Sequence, residues 1–229
     1  MPIGVISGFQ RELQCLAAAS PTSHDVLTFA GFGPERGEAG AYQLIAKGAD
    51  ALVSFGIAGG IAPGVQAGML VLASTVIDGE KKFKASDVWR NSLKKLLPSD
   101  INVSEGSIVG VDKMVASQDA KRQLFEATGA IACDMETHSM ARVAVATGVP
   151  FIVVRAISDP AWRDIPNWIL SCLTSDGEVD YWRLSLAQLS HPWRLPALMV
   201  LAGNSKKAFV SLRRVAGVAG SSLGFMGGL

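Results

Sequence analysis

Two carboxylates, Glu136 and Asp159, stand at the ends of segments that read as buried. Glu136 closes the run Ala132-Cys133-Asp134-Met135-Glu136, and Asp159 follows the apolar stretch Phe151 to Ile157. A carboxylate in such a place is costly unless it has a task. The run from Phe151 is β-branched and short enough for a fully buried strand, which puts Asp159 just past its carboxyl end. That end is the edge of an open α/β sheet where ligands bind. Two acids held together there suit chemistry on a polyhydroxylated or nitrogenous small molecule. Asp159 before Pro160 also has the form of a helix N-cap, and local sequence leaves that alternative open.

The elements that must position these acids alternate between short β-branched runs and longer helix-compatible segments, the pattern of a layered α/β domain. Strands are predicted at Ile3 to Ser7, Val26 to Ala30, Ala51 to Phe55, Met69 to Ser74, Ser107 to Val111 and Phe151 to Ile157. Helices are predicted at Pro34 to Lys47, Ala116 to Ala127 and Met135 to Thr147, the first with proline and Glu35 suited to an N-terminal turn. The clusters Lys81-Lys82-Phe83-Lys84 and Lys94-Lys95 read as a solvated excursion between strands. From Pro160 the texture changes to tryptophan and proline, and the chain reads as short helices. This divides it into a core at 1–160 and a helical C-terminal extension at 161–229, packed on or appended to the core and too short for a core of its own.

Composition removes several classes. A net charge of +1 offers no electrostatic attraction for nucleic acid. Three scattered cysteines, Cys15, Cys133 and Cys172, argue against a disulfide framework and for a reducing compartment, and with three isolated histidines they make no zinc constellation. His138 reads as a helix-surface or core residue. No signal-peptide pattern and no apolar run of about 18 to 20 residues is present, so a cytoplasmic protein is expected. The glycine-rich stretch Gly56-Ile57-Ala58-Gly59-Gly60 fits neither a dinucleotide fingerprint nor a P-loop.

Asp134-Met135-Glu136, a helix, and a strand ending Arg155-Ala156-Ile157-Ser158-Asp159 resemble the second half of the purine nucleoside phosphorylase and methylthioadenosine nucleosidase superfamily. Gly4-Val5-Ile6-Ser7-Gly8-Phe9-Gln10-Arg11-Glu12 resembles its opening strand and loop. Ser54 to Ile61 and Gly68 to Ala73 resemble its glycine-rich turn and the strand that follows. The four motifs stand in the family's order over residues 3 to 160. The resemblance implies a three-layer αβα sandwich around a central mixed sheet, cleavage of an N-ribosidic bond, and a homodimer or larger homo-oligomer. It requires no cofactor, with inorganic phosphate as a conceivable co-substrate.

Such cleavage passes through a cation-like sugar and expels a purine that leaves readily only when protonated. By resemblance, Asp159 supplies the proton at purine N7 and Glu136 accepts the ribose hydroxyls, with Met135 against the sugar. Met114 and Val115 meet the base, while Ala58 and Gly59 bring backbone groups to the substrate. Glu12 activates water if the reaction is hydrolysis, its plain alternative being a solvated helix residue beside Arg11. For phosphorolysis the candidate ligands are Arg36, Gly8 and Arg155, although Ile57 stands where many superfamily members carry a hydroxyl. Arg155 is equally suited to pair with a buried carboxylate.

Asp159-Pro160-Ala161, Asp164-Ile165-Pro166, Asp176-Gly177 and His191 to Leu198 resemble, more narrowly, the hopanoid-associated phosphorylases. That branch implies adenosylhopane as substrate, split to adenine and a ribosylated hopane. The alternatives are a methylthioadenosine or adenosylhomocysteine nucleosidase, and a catalytically silent purine-binding or membrane-associated protein. A lipid-linked substrate would bring the protein to the inner membrane face. Lys206, Lys207, Arg213 and Arg214 beside an apolar end would suit peripheral contact with an anionic surface, or else belong to a packed helix.

Overall fold

The computed structural model describes residues 1–18, 25–172 and 191–225. Asp176, Gly177 and Trp182 lie outside them. Eight strands form one mixed sheet: β1 (Ile3–Ser7), β2 (Val26–Ala30), β3 (Ala51–Gly60), β4 (Leu70–Asp78), β5 (Lys81–Lys84), β6 (Val103–Gly110), β7 (Ala132–Asp134) and β8 (Phe151–Asp159). Seven described helices accompany them: α1 (Gln10–Ala17), α2 (Pro34–Ala46), α3 (Asp87–Leu96), α4 (Gln118–Thr128), α5 (Thr137–Thr147), α6 (Asn167–Leu170) and α7 (Leu195–Ala219). The strand order is β2-β1-β3-β7-β6-β4-β5. β8 lies parallel to β3 and antiparallel to β4, so β3, β8, β4, β6 and β7 close into a ring of pairings beside an open parallel edge.

Apolar side chains on alternating positions of the central strands face opposite ways and meet helices on both sides. Val5, Val53, Ile152 and Val154 pack with Leu13 and Leu16 of α1, Trp89 and Leu93 of α3, and Leu212 and Val215 of α7. Ile6, Leu52, Val71 and Val153 pack on the other face with Ala41 and Leu44 of α2 and Met140 and Ala144 of α5. This is the expected α/β architecture, a mixed sheet between helical layers.

Three expectations are corrected. Lys81 to Lys84 is no excursion but an edge strand, antiparallel to the end of β4, and its exposed lysines are what an edge tolerates without inviting a further strand. β7, absent from the prediction, has three residues and is held between β3 and β6. The four-residue α6 is short as expected, but from Leu195 the extension forms one 25-residue helix, longer than the short helices expected there. Its Ala208, Leu212, Val215, Ala216 and Ala219 recur at helical spacing and are buried in the sheet-facing core. Lys206, Lys207, Arg213 and Arg214 occupy the opposite, exposed face, where Arg214 pairs with Asp100 at 2.7 Å. Among the described residues no helix is long and apolar enough to cross a membrane.

Candidate active site

Parallel strands β1, β3 and β8 end on the same side of the sheet, and a cavity of about 310 Å³ opens there. β8 runs straight through Phe151 to Asp159, so Asp159 closes a strand. The helix-cap alternative falls, since the next described helix starts only at Asn167. A bulge between Ala58 and Gly59 brings Gly59 opposite Asp159 and turns the end of β3 toward the cavity. The Asp159 carboxylate receives Lys121 Nζ on Oδ2 at 2.6 Å and Ser158 Oγ on Oδ1 at 2.6 Å. Burial pushes its proton affinity above the ordinary carboxylate value, and Lys121 pulls it back.

Glu12 is fully buried, which overturns its reading as a solvated helix residue. It sits in the first turn of α1, where Oε2 accepts the Phe9 N–H at 2.9 Å in the manner of a capping box. Its other oxygen reaches β3 and accepts the Ile57 N–H at 2.7 Å. Glycine at position 56 permits that approach: a Cβ there would lie 2.6 Å from the Glu12 carboxylate and 2.7 Å from an Arg155 nitrogen. Burial raises the Glu12 proton affinity, against the opposing field of Arg155 and the backbone donors.

Arg155, on β8, is buried and its donors are engaged. Nε pairs with Asp134 Oδ2 at 2.7 Å, Nη1 donates to the Ile57 carbonyl at 3.2 Å, and Nη2 lies 2.6 Å from Ser54 Oγ and 3.4 Å from Glu136 Oε2. Burial by itself would lower its proton affinity; Asp134, Glu136 and Glu12 together more than offset this. Asp134 also accepts the Thr137 N–H at 3.1 Å and the Thr137 hydroxyl, tying the start of α5 to the network. Glu136, between β7 and α5, accepts the Gly33 N–H on Oε1 at 2.9 Å.

Burial pushes Glu136 up to about 7 from an ordinary 4.5, with Arg155 opposing and Asp134 adding to the rise. Between about 4.5 and about 7 the folded protein therefore holds a proton there that the unfolded chain has released. The stability this contributes is complete below 4.5 and is lost as pH rises through about 7. Glu136→Gln is expected to flatten the decline in stability across that window, read as the urea midpoint against pH. An unaltered slope would show that Glu136 takes up no proton there.

Of the residues expected at the site, the cavity is lined by Glu12, Ala58, Gly59, Met114, Val115, Met135, Glu136, Arg155 and Asp159. Gly8 and Arg36 are not among its lining. Gly8 lies behind Glu136, where a Cβ would come within 3.2 Å of the carboxylate, and Arg36 is exposed in the first turn of α2. The structure adds what the sequence reading lacked. Phe9 and Phe32 stack at 5.4 Å between ring centres beside the cavity, Ile165 and Ile169 follow β8, and α7 supplies Leu201, Ser205 and Phe209. Asp134, Phe9 and Ile165 stood inside motifs that carry the resemblance, while Phe32, Ile169 and the α7 residues carried no signal. Cys133 also lines the cavity, but burial and the nearby Asp159 and Asp134 push its thiol up to about 12, so it is no nucleophile at neutral pH.

The arrangement can do three things at once. It offers an acid with raised proton affinity in Asp159, a buried carboxylate lining the cavity in Glu136, and a second carboxylate able to take a proton from water in Glu12. Stacked rings and apolar walls suit a flat heterocycle. Among the described residues, no His, Cys, Asp and Glu group could hold a metal ion.

Residues 23–167, more than half of the chain, match the model of the Phosphorylase superfamily. An aminodeoxyfutalosine nucleosidase of Campylobacter jejuni is 28% identical over 155 residues, covering 59% of this chain and 68% of that protein. Solved structures share the fold. A 5′-methylthioadenosine/S-adenosylhomocysteine nucleosidase of Neisseria meningitidis, in complex with methylthio-immucillin-A, superposes with a TM-score of 0.71 at 16% identity, over 94% of this chain and 96% of the other. The futalosine hydrolase of Helicobacter pylori gives 0.69 at 17% identity, over 94% and 97%.

Proposed function

The chain belongs to the phosphorylase superfamily, and from that premise we propose that it hydrolyses the N-ribosidic bond of an adenine nucleoside of the methylthioadenosine or aminodeoxyfutalosine kind. At the coarser level it is an enzyme of the nucleosidase and phosphorylase superfamily that cleaves the N-glycosidic bond of purine nucleosides. In the proposed step, Glu12 takes a proton from water as its oxygen bonds to the anomeric carbon. The bond from that carbon to purine N9 breaks, its electron pair goes to the base, and Asp159 delivers a proton to N7. Glu136 holds the ribose hydroxyls, and the burial that raises the proton affinity of Asp159 above the ordinary carboxylate value favours its acid form.

The observation that carries hydrolysis over phosphorolysis is the Glu12 carboxylate. It occupies the backbone N–H groups of Ile57 and Phe9 that an anion would use, and it places negative charge where phosphate would have to sit. The relatives named above as nucleosidases and a hydrolase support the same choice.

Adenosylhopane is the second reading. In its favour, Ile165, Ile169, Leu201 and Phe209 give the cavity apolar walls, and Trp193, Leu195 and Met199 are exposed on the segment that leads to Leu201. The test is release of free purine base from methylthioadenosine, S-adenosylhomocysteine, aminodeoxyfutalosine and detergent-dispersed adenosylhopane, with and without phosphate. Release from the soluble nucleosides without phosphate supports the first reading, and release from adenosylhopane alone selects the second. No release from any of them would end the hydrolase proposal.

A further inference from the structure

α4 is a polar helix whose residues are mostly exposed or half-buried, yet Lys121 in its first turn is completely buried. Its ammonium lies 2.6 Å from Asp159 Oδ2, 3.2 Å from the Pro160 carbonyl and 3.0 Å from the Arg163 carbonyl. Three N–H donors thus meet three acceptors, so the charge is satisfied without water. The same corner is laced by the Ile165 N–H to the Ala116 carbonyl at 2.8 Å and the Gln118 N–H to Asp164 Oδ1 at 2.7 Å. α4 and the segment after β8 are therefore locked together, and Lys121 is the cation placed at the carboxylate that lines the cavity.

We propose that Lys121 is a positioning residue for Asp159, fixing one carboxylate oxygen from behind and setting how readily the carboxyl takes up and gives its proton at the cavity. This rests on the hydrolase reading in so far as Asp159 is the acid. Among the described residues, the groups facing Asp159 are Lys121 from α4, the neutral Cys133 thiol from β7, and Ser158 on β8 itself, with β3 presenting only Gly59. Lys121 is the charged one among them. Without it, a buried carboxyl beside a neutral thiol would hold its proton to higher pH and release it to a leaving group less readily.

The decisive measurement is carbon-detected NMR titration of the full chain without ligand, with the Asp159 carboxyl signal identified by its loss in Asp159→Asn. In the wild-type protein the Lys121 side-chain signals are expected to inflect at the pH where Asp159 titrates. Lys121→Gln retains donors but no charge, and should move the Asp159 midpoint up by about one unit or more; Lys121→Arg should leave it within a few tenths. The alkaline limb of kcat/KM for methylthioadenosine should move with it. An Asp159 midpoint unchanged in Lys121→Gln would overturn the proposal. If that variant does not fold, wild-type Lys121 signals indifferent to the Asp159 titration would do the same. The titration needs no turnover, so a protein inactive on every nucleoside but with coupled titrations would refute the hydrolase reading and leave the coupling standing.

Discussion

Asp159→Asn is expected to lower turnover of a purine nucleoside by roughly 10²- to 10⁴-fold, the range general acid catalysis supplies. The substitution keeps the side chain's shape and leaves an oxygen for Lys121, so ground-state binding should change far less than turnover. It also removes the charge that faces a buried ammonium, and the variant's stability must be measured beside its kinetics. The alkaline limb of the pH profile, which comes from loss of the acid's proton, should vanish with the residue. A folded Asn variant with wild-type turnover would eliminate Asp159 as the proton donor.

Glu12→Gln is expected to lose a comparable factor, roughly 10² to 10⁴, because the amide cannot take a proton from water. The neutral side chain can still accept the Ile57 N–H but loses the Phe9 N–H, which costs about 1–3 kcal/mol, while Arg155 keeps Asp134 and Glu136; the variant's stability must be measured beside its kinetics. Burial raises the proton affinity of Glu12. The wild-type rate should therefore fall on the acid side as Glu12 becomes protonated, and rise with pH through its titration. Chromatography of products formed in phosphate buffer is the companion measurement. Free sugar as the sole carbohydrate product accords with water as the nucleophile; a ribose 1-phosphate product would assign Glu12 to structure and return the protein to phosphorolysis.

Glu136 and Asp159, which line the cavity, were legible because each signal is local. Phe151 to Ile157 is a β-branched run of strand length, so a following Asp at a sheet edge can be read without knowing its neighbours. The bounds of β1 and β2 came out as observed for the same reason. β7 did not, since three residues are too few to display a period of two and its existence depends on partners at Gly59 and Ile108. α7 was misjudged because alanines and glycines blur the apolar stripe that Leu212 and Val215 mark.

What the sequence determined by itself was an alternating α/β chain whose strand ends carry acids, because periodicity and chain punctuation act over a few residues. The tertiary structure alone decided what those acids face. Glu12 is buried because Gly56, on another strand, leaves room for its carboxylate. Arg155 is bound among Asp134, Glu136 and Ser54 rather than waiting for an anion. Lys121, which the sequence did not single out, meets Asp159 across 38 residues of chain. A buried charge is tolerable only with partners at about 3 Å, and those partners are set by how the elements pack.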